Sequence, residues 1–301
     1  MTDKKTTALI GLGSMGYGMG LSLLRAGHEV YGKDMVAATV EKFVGEGGRT
    51  GEAAEFGPDL DIAIIVVLNA AQTESVLFGD NGLVRHMKAG SCVISCATVA
   101  PGFARNMAAR CAERGIRYLD APISGGAVKA ATGQLSVMAS GPRETFDAAR
   151  PALDAMAETV FELGDEPGAG SAMKAVNQLL AGVHIASMAE AITFSMTQGI
   201  DPDKTVEVIS KCAGTSWMFE NRGPHIVAGD YTPRSAIDIW LKDLGIVLDI
   251  ARGSKFAAPL TAAALQQFVA ASGSGLGQED DAAVAKVYAR NANLTLPGTK
   301  D

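Results

Sequence analysis

Lys174, Asn177 and Gln178 in the run GSAMKAVNQ stand at i, i+3 and i+4, a spacing that sets one amine and two amides on a single helix face. An amine in that company suits proton transfer at a substrate hydroxyl. A lysine titrates at about 10.4 in water, so as a base at neutral pH it needs desolvation or a neighbouring positive charge, and in its protonated form it serves as the acid of the reverse reaction. The flanks are apolar, and these three groups are costly to bury without polar partners. On a solvated face they would have no chemistry, and both readings stand at this point.

A second constellation fills residues 8–34, ALIGLGSMGYGMGLSLLRAGHEVYGKD. Ala8 to Ile10 reads as a short apolar strand, and Gly11, Gly13 and Gly16 carry the GxGxxG spacing. Met15 to Ala26 reads as a helix closed by Gly27, His28 to Lys33 as the next strand, and Asp34 ends it. In that context the first glycine permits a tight turn, the second lets the backbone approach a pyrophosphate, and the third lets helix and strand pack closely. Leu12, Ser14 and Met15 complete the loop, and a pyrophosphate belongs at the helix N-terminus, where free amides and the dipole favour anions. Asp34 is placed for a ribose 2′-hydroxyl and repels a 2′-phosphate, which favours NAD over NADP; Lys33 beside it pulls the other way.

Three further segments carry polar groups. In DAPISGG, Ser124, Gly125 and Gly126 follow a strand, so a hydroxyl and two approachable amides lie where an open α/β sheet binds ligands, a donor set suited to a carboxylate; a plain turn has the same composition. In IWLKDLGIVLD, Lys242 and Asp243 read as an exposed pair on an amphipathic helix. Thr98, in ATVAP, either caps the next helix or hydrogen-bonds a ligand at the sheet edge.

The elements that must position these groups fall into two halves. From residue 8 to about 164, β-rich runs alternate with helical stretches, the pattern of a parallel sheet covered on both faces. Strands are expected at 61–68, 91–97, 118–123, 135–140 and 160–163, with helices near 101–114 and 143–156. After GDEPG, strand signals vanish. A long helix is predicted over 169–198, followed by helices near 202–212, 216–227, 234–252, 257–272 and 278–289. The expected architecture is thus an α/β Rossmann domain, residues 1–167, followed by an all-α domain, residues 168–301, joined by the long helix.

Composition narrows the function classes. The 301 residues are 48% hydrophobic and 20% charged with a net charge of −7, an ordinary globular balance. No basic run or aromatic-interleaved patch marks nucleic acid as a partner. The start, MTDKKTT, has no apolar signal core, so a cytoplasmic protein is expected. Cys92, Cys96, Cys111 and Cys212 form no CxxC pair and have no histidine at ligand spacing, which predicts buried thiols and no metal site. Asn177, Gln178, His184 and Glu190 within 175–194 favour an internal helix over a membrane span.

The ordered set GLGSMG, DAPISGG, GSAMKAVNQ and KDLGIVLD resembles the β-hydroxyacid dehydrogenase family, also called 3-hydroxyisobutyrate dehydrogenase-like, over essentially the whole chain. The resemblance implies that Gly11, Leu12, Gly13, Ser14, Met15, Gly16 and Asp34 bind NAD, with Thr98 and Lys242 also at the cofactor. It implies that Ser124, Gly125 and Gly126 hold the substrate carboxylate, that Lys174 is catalytic, and that Asn177 and Gln178 orient substrate. Many members carry two asparagines where this chain has Asn177-Gln178. The stretches NQLLAGVHIA, SWMFENR and YTPRSAIDIWLKDLG resemble most the branch that oxidises four-carbon sugar acids, whose extra hydroxyls Asn177, Gln178 and Asp238 would answer; the other reading of Asp238 is a capping or surface-pairing residue.

The implied reaction is NAD-dependent oxidation of a hydroxyl on a short polyhydroxy acid, in a homodimer or homotetramer. A tartronate semialdehyde reductase shares the Asn-Gln pair and would run as a reduction. A decarboxylating 6-phosphogluconate-type enzyme needs a far larger helical domain, and imine reductases generally lack the lysine. A regulatory protein that only binds the cofactor would need neither Lys174 nor Ser124-Gly125-Gly126.

Overall fold

The computed structural model describes residues 4–299. Among them the residues group into two compact units, one ending at Lys174 and the other beginning at Ala175.

The first unit opens with β1 (Thr6–Ile10), α1 (Gly16–Arg25) and β2 (Glu29–Lys33). It continues through α2 (Ala37–Gly45), α3 (Ala53–Phe56), β3 (Ile62–Ile65), α4 (Ala70–Phe78), β4 (Cys92–Ser95), α5 (Pro101–Ala112) and β5 (Arg117–Asp120). These five strands form a parallel sheet in the order β2-β1-β3-β4-β5. The period-2 alternation of strands sorts their side chains to opposite faces: Leu9, Ile62, Ile64, Ile94 and Leu119 enter one core cluster, while Ala8, Ile10, Ala63, Ile65, Val93 and Tyr118 enter the other. The chain reverses its direction of travel across the sheet at β1, so the glycine loop after β1 sits at the topological switch point, where open α/β sheets bind ligands.

The expected strand over 118–123 is two strands in two sheets. Pro122 has no amide to continue a ladder, and after β5 the chain leaves the parallel sheet as β6 (Ile123–Ser124). With β7 (Leu135–Ala139) and β8 (Ala157–Glu162), β6 forms a second sheet, antiparallel between β6 and β7 and parallel between β7 and β8. The helices α6 (Gly126–Thr132) and α7 (Arg143–Met156) lie between these strands in sequence.

α8 (Ala169–Thr197) then runs for 29 residues. By length and composition it is apolar enough to cross a membrane, yet half of its most apolar window is buried inside the protein. The second unit has no strands among its described residues and consists of α9 (Pro202–Ile209), α10 (Trp217–Ala228), α11 (Ile237–Gly253), α12 (Pro259–Ala271) and α13 (Ala285–Asn291) with short helical turns between the last two. Ile185, Met188, Ala189 and Ile192 of α8 pack with Phe219, Ile226, Trp240, Leu244 and Phe268 to form its core. α8 and α11 approach closely because Gly182 has no side chain: a Cβ there would stand 2.7 Å from Leu244 Cδ2.

Candidate active site

The glycine loop is shaped by contacts that leave its outer edge open. Gly11 adopts φ +98°, and a Cβ on it would lie 2.1 Å from the Val66 carbonyl oxygen, so only glycine turns the chain here. A Cβ on Gly16 would lie 1.8 Å from the Gly11 carbonyl oxygen. Gly13 differs: nothing lies within 4 Å of the position its Cβ would take. The protein itself has no steric need for glycine there, and the open space fits the close approach of a pyrophosphate to the backbone. No side chain caps α1, whose Tyr17 amide donates back to the Gly13 carbonyl oxygen at 3.0 Å, so the helix start retains uncapped amides of the kind that favour an anion. Ser14 is exposed and Met15 is half-buried at the N-cap.

Asp34 stands where the sequence places it and also braces the loop. Its Oδ2 accepts from Leu12 N at 2.7 Å and its Oδ1 from Val36 N at 2.9 Å. A carboxylate has about four acceptor positions, so one lone pair on each oxygen is left for the vicinal hydroxyls of a ribose. The residues present fit a dinucleotide, and the first unit is an NAD-binding domain.

Ser124 ends β6, and Gly125 and Gly126 follow at φ +137° and +77°. The residue before Ser124 receives Lys174: Nζ donates to the Ile123 carbonyl oxygen at 2.8 Å. Lys174 is 8% exposed, so of its two readings the solvated helix lysine is excluded. Thr98 is half-buried between β4 and α5, but it is not the helix cap: Ala100 holds the N-cap position, with Pro101 as the first helical residue.

In the second unit a row of polar side chains runs from α8 to α11. Asn177 Nδ2 donates to Gln178 Oε1 at 2.8 Å, Gln178 Nε2 donates to Asp243 Oδ2 at 2.5 Å, and Lys242 Nζ is paired with Asp243 Oδ1. The carboxylate can only accept, so Gln178 must turn its NH2 to Asp243 and its oxygen to Asn177. Asn177 then turns its NH2 to Gln178 and leaves its own carbonyl oxygen as the acceptor at the end of the row.

One expectation is corrected here, and of the two readings of Asp238 the pairing one has partners. Lys242-Asp243 is not an exposed pair: Asp243 is 2% exposed, while the Lys242 side chain retains 28%. Asp243 belongs to the buried stripe Trp240, Asp243, Leu244, Val247, an i, i+3, i+4, i+7 pattern that could have revealed it as a buried acid on an apolar face. Asp238 turns to another element: it accepts from Ser272 Oγ at 2.6 Å and Gln278 Nε2 at 3.0 Å. In the first turn of α11 it also favours the helix dipole, and it reads as a brace for the segment after α12.

Cys92, Cys96 and Cys111 are buried, and burial pushes each thiol up to about 12; Cys212, against expectation, is exposed. Among the described residues no group of three or more histidine, cysteine or acidic side chains is placed to hold a metal ion.

Known proteins resemble the chain along its length. Residues 6–164 match the NAD binding domain of 6-phosphogluconate dehydrogenase, and residues 168–288 match the NAD-binding region of NADP-dependent 3-hydroxyisobutyrate dehydrogenase. L-threonate dehydrogenase of Cupriavidus necator is 50% identical over 295 residues, 98% of either chain. The 3-hydroxyisobutyrate dehydrogenase of Pseudomonas aeruginosa is 35% identical over 276 residues, 89% of this chain and 91% of that one. A crystal structure of a 3-hydroxyisobutyrate dehydrogenase from Salmonella typhimurium superposes with a TM-score of 0.90 at 46% identity, covering 94% of this chain and all of that one. With a glycine loop and strand-end acid that fit a dinucleotide, a buried lysine bonded to the Ile123 carbonyl oxygen, and relatives that match along its whole length, the chain belongs to the β-hydroxyacid dehydrogenase (3-hydroxyisobutyrate dehydrogenase-like) family of NAD-dependent oxidoreductases that act on CH-OH groups.

Proposed function

We propose that the protein oxidises L-threonate to its 2-oxo acid. The observation that carries this reading is the row Asn177, Gln178, Asp243, Lys242, which holds an amide oxygen in a fixed polarity for a substrate hydroxyl. A site of that kind suits a four-carbon sugar acid with hydroxyls beyond the reacting one. The 50% identity to an L-threonate dehydrogenase supports it, whereas the name carried by the Salmonella structure favours 3-hydroxyisobutyrate as the competing substrate.

In this reading the amides of Gly125 and Gly126 and the Ser124 hydroxyl hold the substrate carboxylate and orient the carbinol carbon. Lys174 Nζ takes the hydroxyl proton as the carbon-oxygen double bond forms and the C–H electron pair leaves as hydride. Bound NAD supplies the hydride acceptor. The backbone of Gly11, Leu12, Gly13, Ser14, Met15 and Gly16 holds the pyrophosphate, Asp34 the ribose, and Thr98 and Lys242 lie along the cofactor. In the same proposal the cofactor-binding domain ends at residue 167 and the helical domain begins at residue 168. A cytoplasmic homodimer or homotetramer, acting on a small carboxylate and on neither nucleic acid nor membrane, completes the proposal.

Steady-state kinetics with NAD tests it. A site built to bond a hydroxyl rejects an analogue lacking it by factors of about 10⁴, so L-threonate is expected to exceed 3-hydroxyisobutyrate in kcat/KM by a wide margin. Equal efficiency, or faster turnover of 3-hydroxyisobutyrate, overturns the substrate. Efficient reduction of tartronate semialdehyde with no threonate oxidation replaces it.

A further inference from the structure

We infer that Asp120, the first residue of DAPISGG, is a positioning residue for Lys174: its carboxylate clamps the first turn of α8 to the segment that carries Ile123 and Ser124. The inference rests on the reading of Lys174 as the proton-transfer group.

Asp120 ends β5 and is 1% exposed. Its Oδ2 accepts from Gly168 N at 2.9 Å and from Ser171 N at 2.8 Å, and its Oδ1 accepts from Ser171 Oγ at 2.6 Å. Ser140 assists: it is bridged to Asp120 through both backbone pairs, and its Oγ accepts from Gly170 N at 2.9 Å. A helix is ordinarily capped by the residue just before it. Here the amides of Gly168, Gly170 and Ser171 are satisfied by two side chains distant in sequence. The backbones are also in close contact, since a Cβ on Gly170 would lie 2.7 Å from the Asp120 carbonyl oxygen and 2.4 Å from that of Met138.

The clamp bears directly on the amine. Lys174 follows Ser171 by three residues, one turn along the same face, and Ile123 follows Asp120 by three. Ser171 is bonded to Asp120, and Lys174 Nζ to the Ile123 carbonyl oxygen. The two contacts are successive rungs between the same two segments. Ser124, the next residue, therefore stands at a height relative to the amine that the lower rung sets. A negative charge at the N-terminus of a helix of this length is further favoured by the dipole.

Loss of the clamp leaves the amine free to shift, and a misplacement of about 1 Å can lower turnover by about 100-fold. Asp120→Ala is expected to lower kcat for oxidation by about 10- to 100-fold, to change KM for NAD less than about twofold, and to displace the acidic limb of the kcat pH profile, the limb set by a base that must be deprotonated. Asp120→Asn is expected to recover most of kcat, because its one oxygen still accepts the two amides and the Ser171 hydroxyl can rotate to accept from the NH2. Unchanged kcat and pH profile in Asp120→Ala overturn the inference, as does Asp120→Asn no better than Asp120→Ala. If Asp120→Ala fails to fold, Ser171→Ala is read in its place: a fall in kcat with unchanged KM for NAD supports the clamp, and no fall overturns it. Lys174→Ala separates the two levels. If it keeps turnover, the lysine reading falls and the inference with it; if it is inactive while Asp120→Ala is silent, the inference falls alone.

Discussion

Asp243 makes the sharpest demand on the proposed site. Asp243→Ala removes the acceptor of both Gln178 Nε2 and Lys242 Nζ. The Lys242 side chain is 28% exposed and can rehydrate, so its share of the loss is small. Gln178 is 8% exposed and cannot; a buried amide left without its partner costs about 1–3 kcal/mol, or about 5- to 150-fold if expressed in kcat/KM. Asp243→Asn isolates polarity from volume. The charged Lys242 claims the one remaining oxygen, because charge-assisted bonds are the stronger, and the new NH2 faces Gln178. Gln178 must then present its oxygen, turning its NH2 to Asn177, and Asn177 must turn its own oxygen inward and offer NH2 at the end of the row. The same side chains remain, with donor and acceptor exchanged. The assay is kcat/KM for L-threonate and for 3-hydroxyisobutyrate, with thermal unfolding alongside. Asp243→Asn is expected to unfold near the wild-type temperature and to lose L-threonate efficiency by at least about tenfold while that for 3-hydroxyisobutyrate moves much less. An equal loss on both substrates, or none on either, refutes the reasoning from amide polarity.

Asp34→Ala is expected to raise KM for NAD and to narrow the preference over NADP, since it removes the ribose acceptor and the bond to Leu12 N together; an unmoved NAD/NADP ratio of kcat/KM counts against the cofactor role. Gly182→Ala gains about 1 kcal/mol of helix propensity but sets a methyl 2.7 Å from Leu244 Cδ2 and 3.1 Å from Trp240 Cε3. Overpacking costs about 1–3 kcal/mol, so stability falls slightly or not at all, while displaced α11 strains the bond between Gln178 and Asp243. Substrate KM is expected to rise, with a smaller loss of NAD affinity by calorimetry because Lys242 rides on the same helix, and a wild-type substrate KM would show that α11 is not held by this contact. Burial raises the carboxyl of Asp61, but the Lys88 ammonium and the Thr6 amide outweigh it and hold the group below the ordinary carboxylate range. Its stabilising contribution is therefore full above the unfolded value of about 3.9 and is lost as pH falls through the folded value. Asp61→Asn is expected to lower the midpoint of urea unfolding at pH 7 and to match wild type near pH 2, and a deficit that persists in acid would refute the assignment.

Features set by neighbours in the chain were legible from sequence. The 3.6-residue pattern placed α8 over 169–198 against an observed Ala169–Thr197, because an uninterrupted helix is a local periodicity and Gly199 follows at φ +75°. The loop from Gly11 to Gly16 and the acid at Asp34 were equally readable, since β1, turn, α1 and β2 are consecutive and their spacing carries the geometry. What required tertiary structure was the choice of partners across long stretches of chain. Asp243 looked like half of a surface pair until α8, packed close at Gly182, brought Gln178 to it from 65 residues away. Asp238 stood open between a substrate role and a pairing role, and only the fold brings Ser272 and Gln278 to it. Asp120 drew no notice within its motif, because nothing near it in sequence shows that its carboxylate reaches Gly168 and Ser171, 48 and 51 residues on. A buried carboxylate accepts whatever donors the fold delivers, and those donors are fixed only when strands and helices distant in sequence have packed.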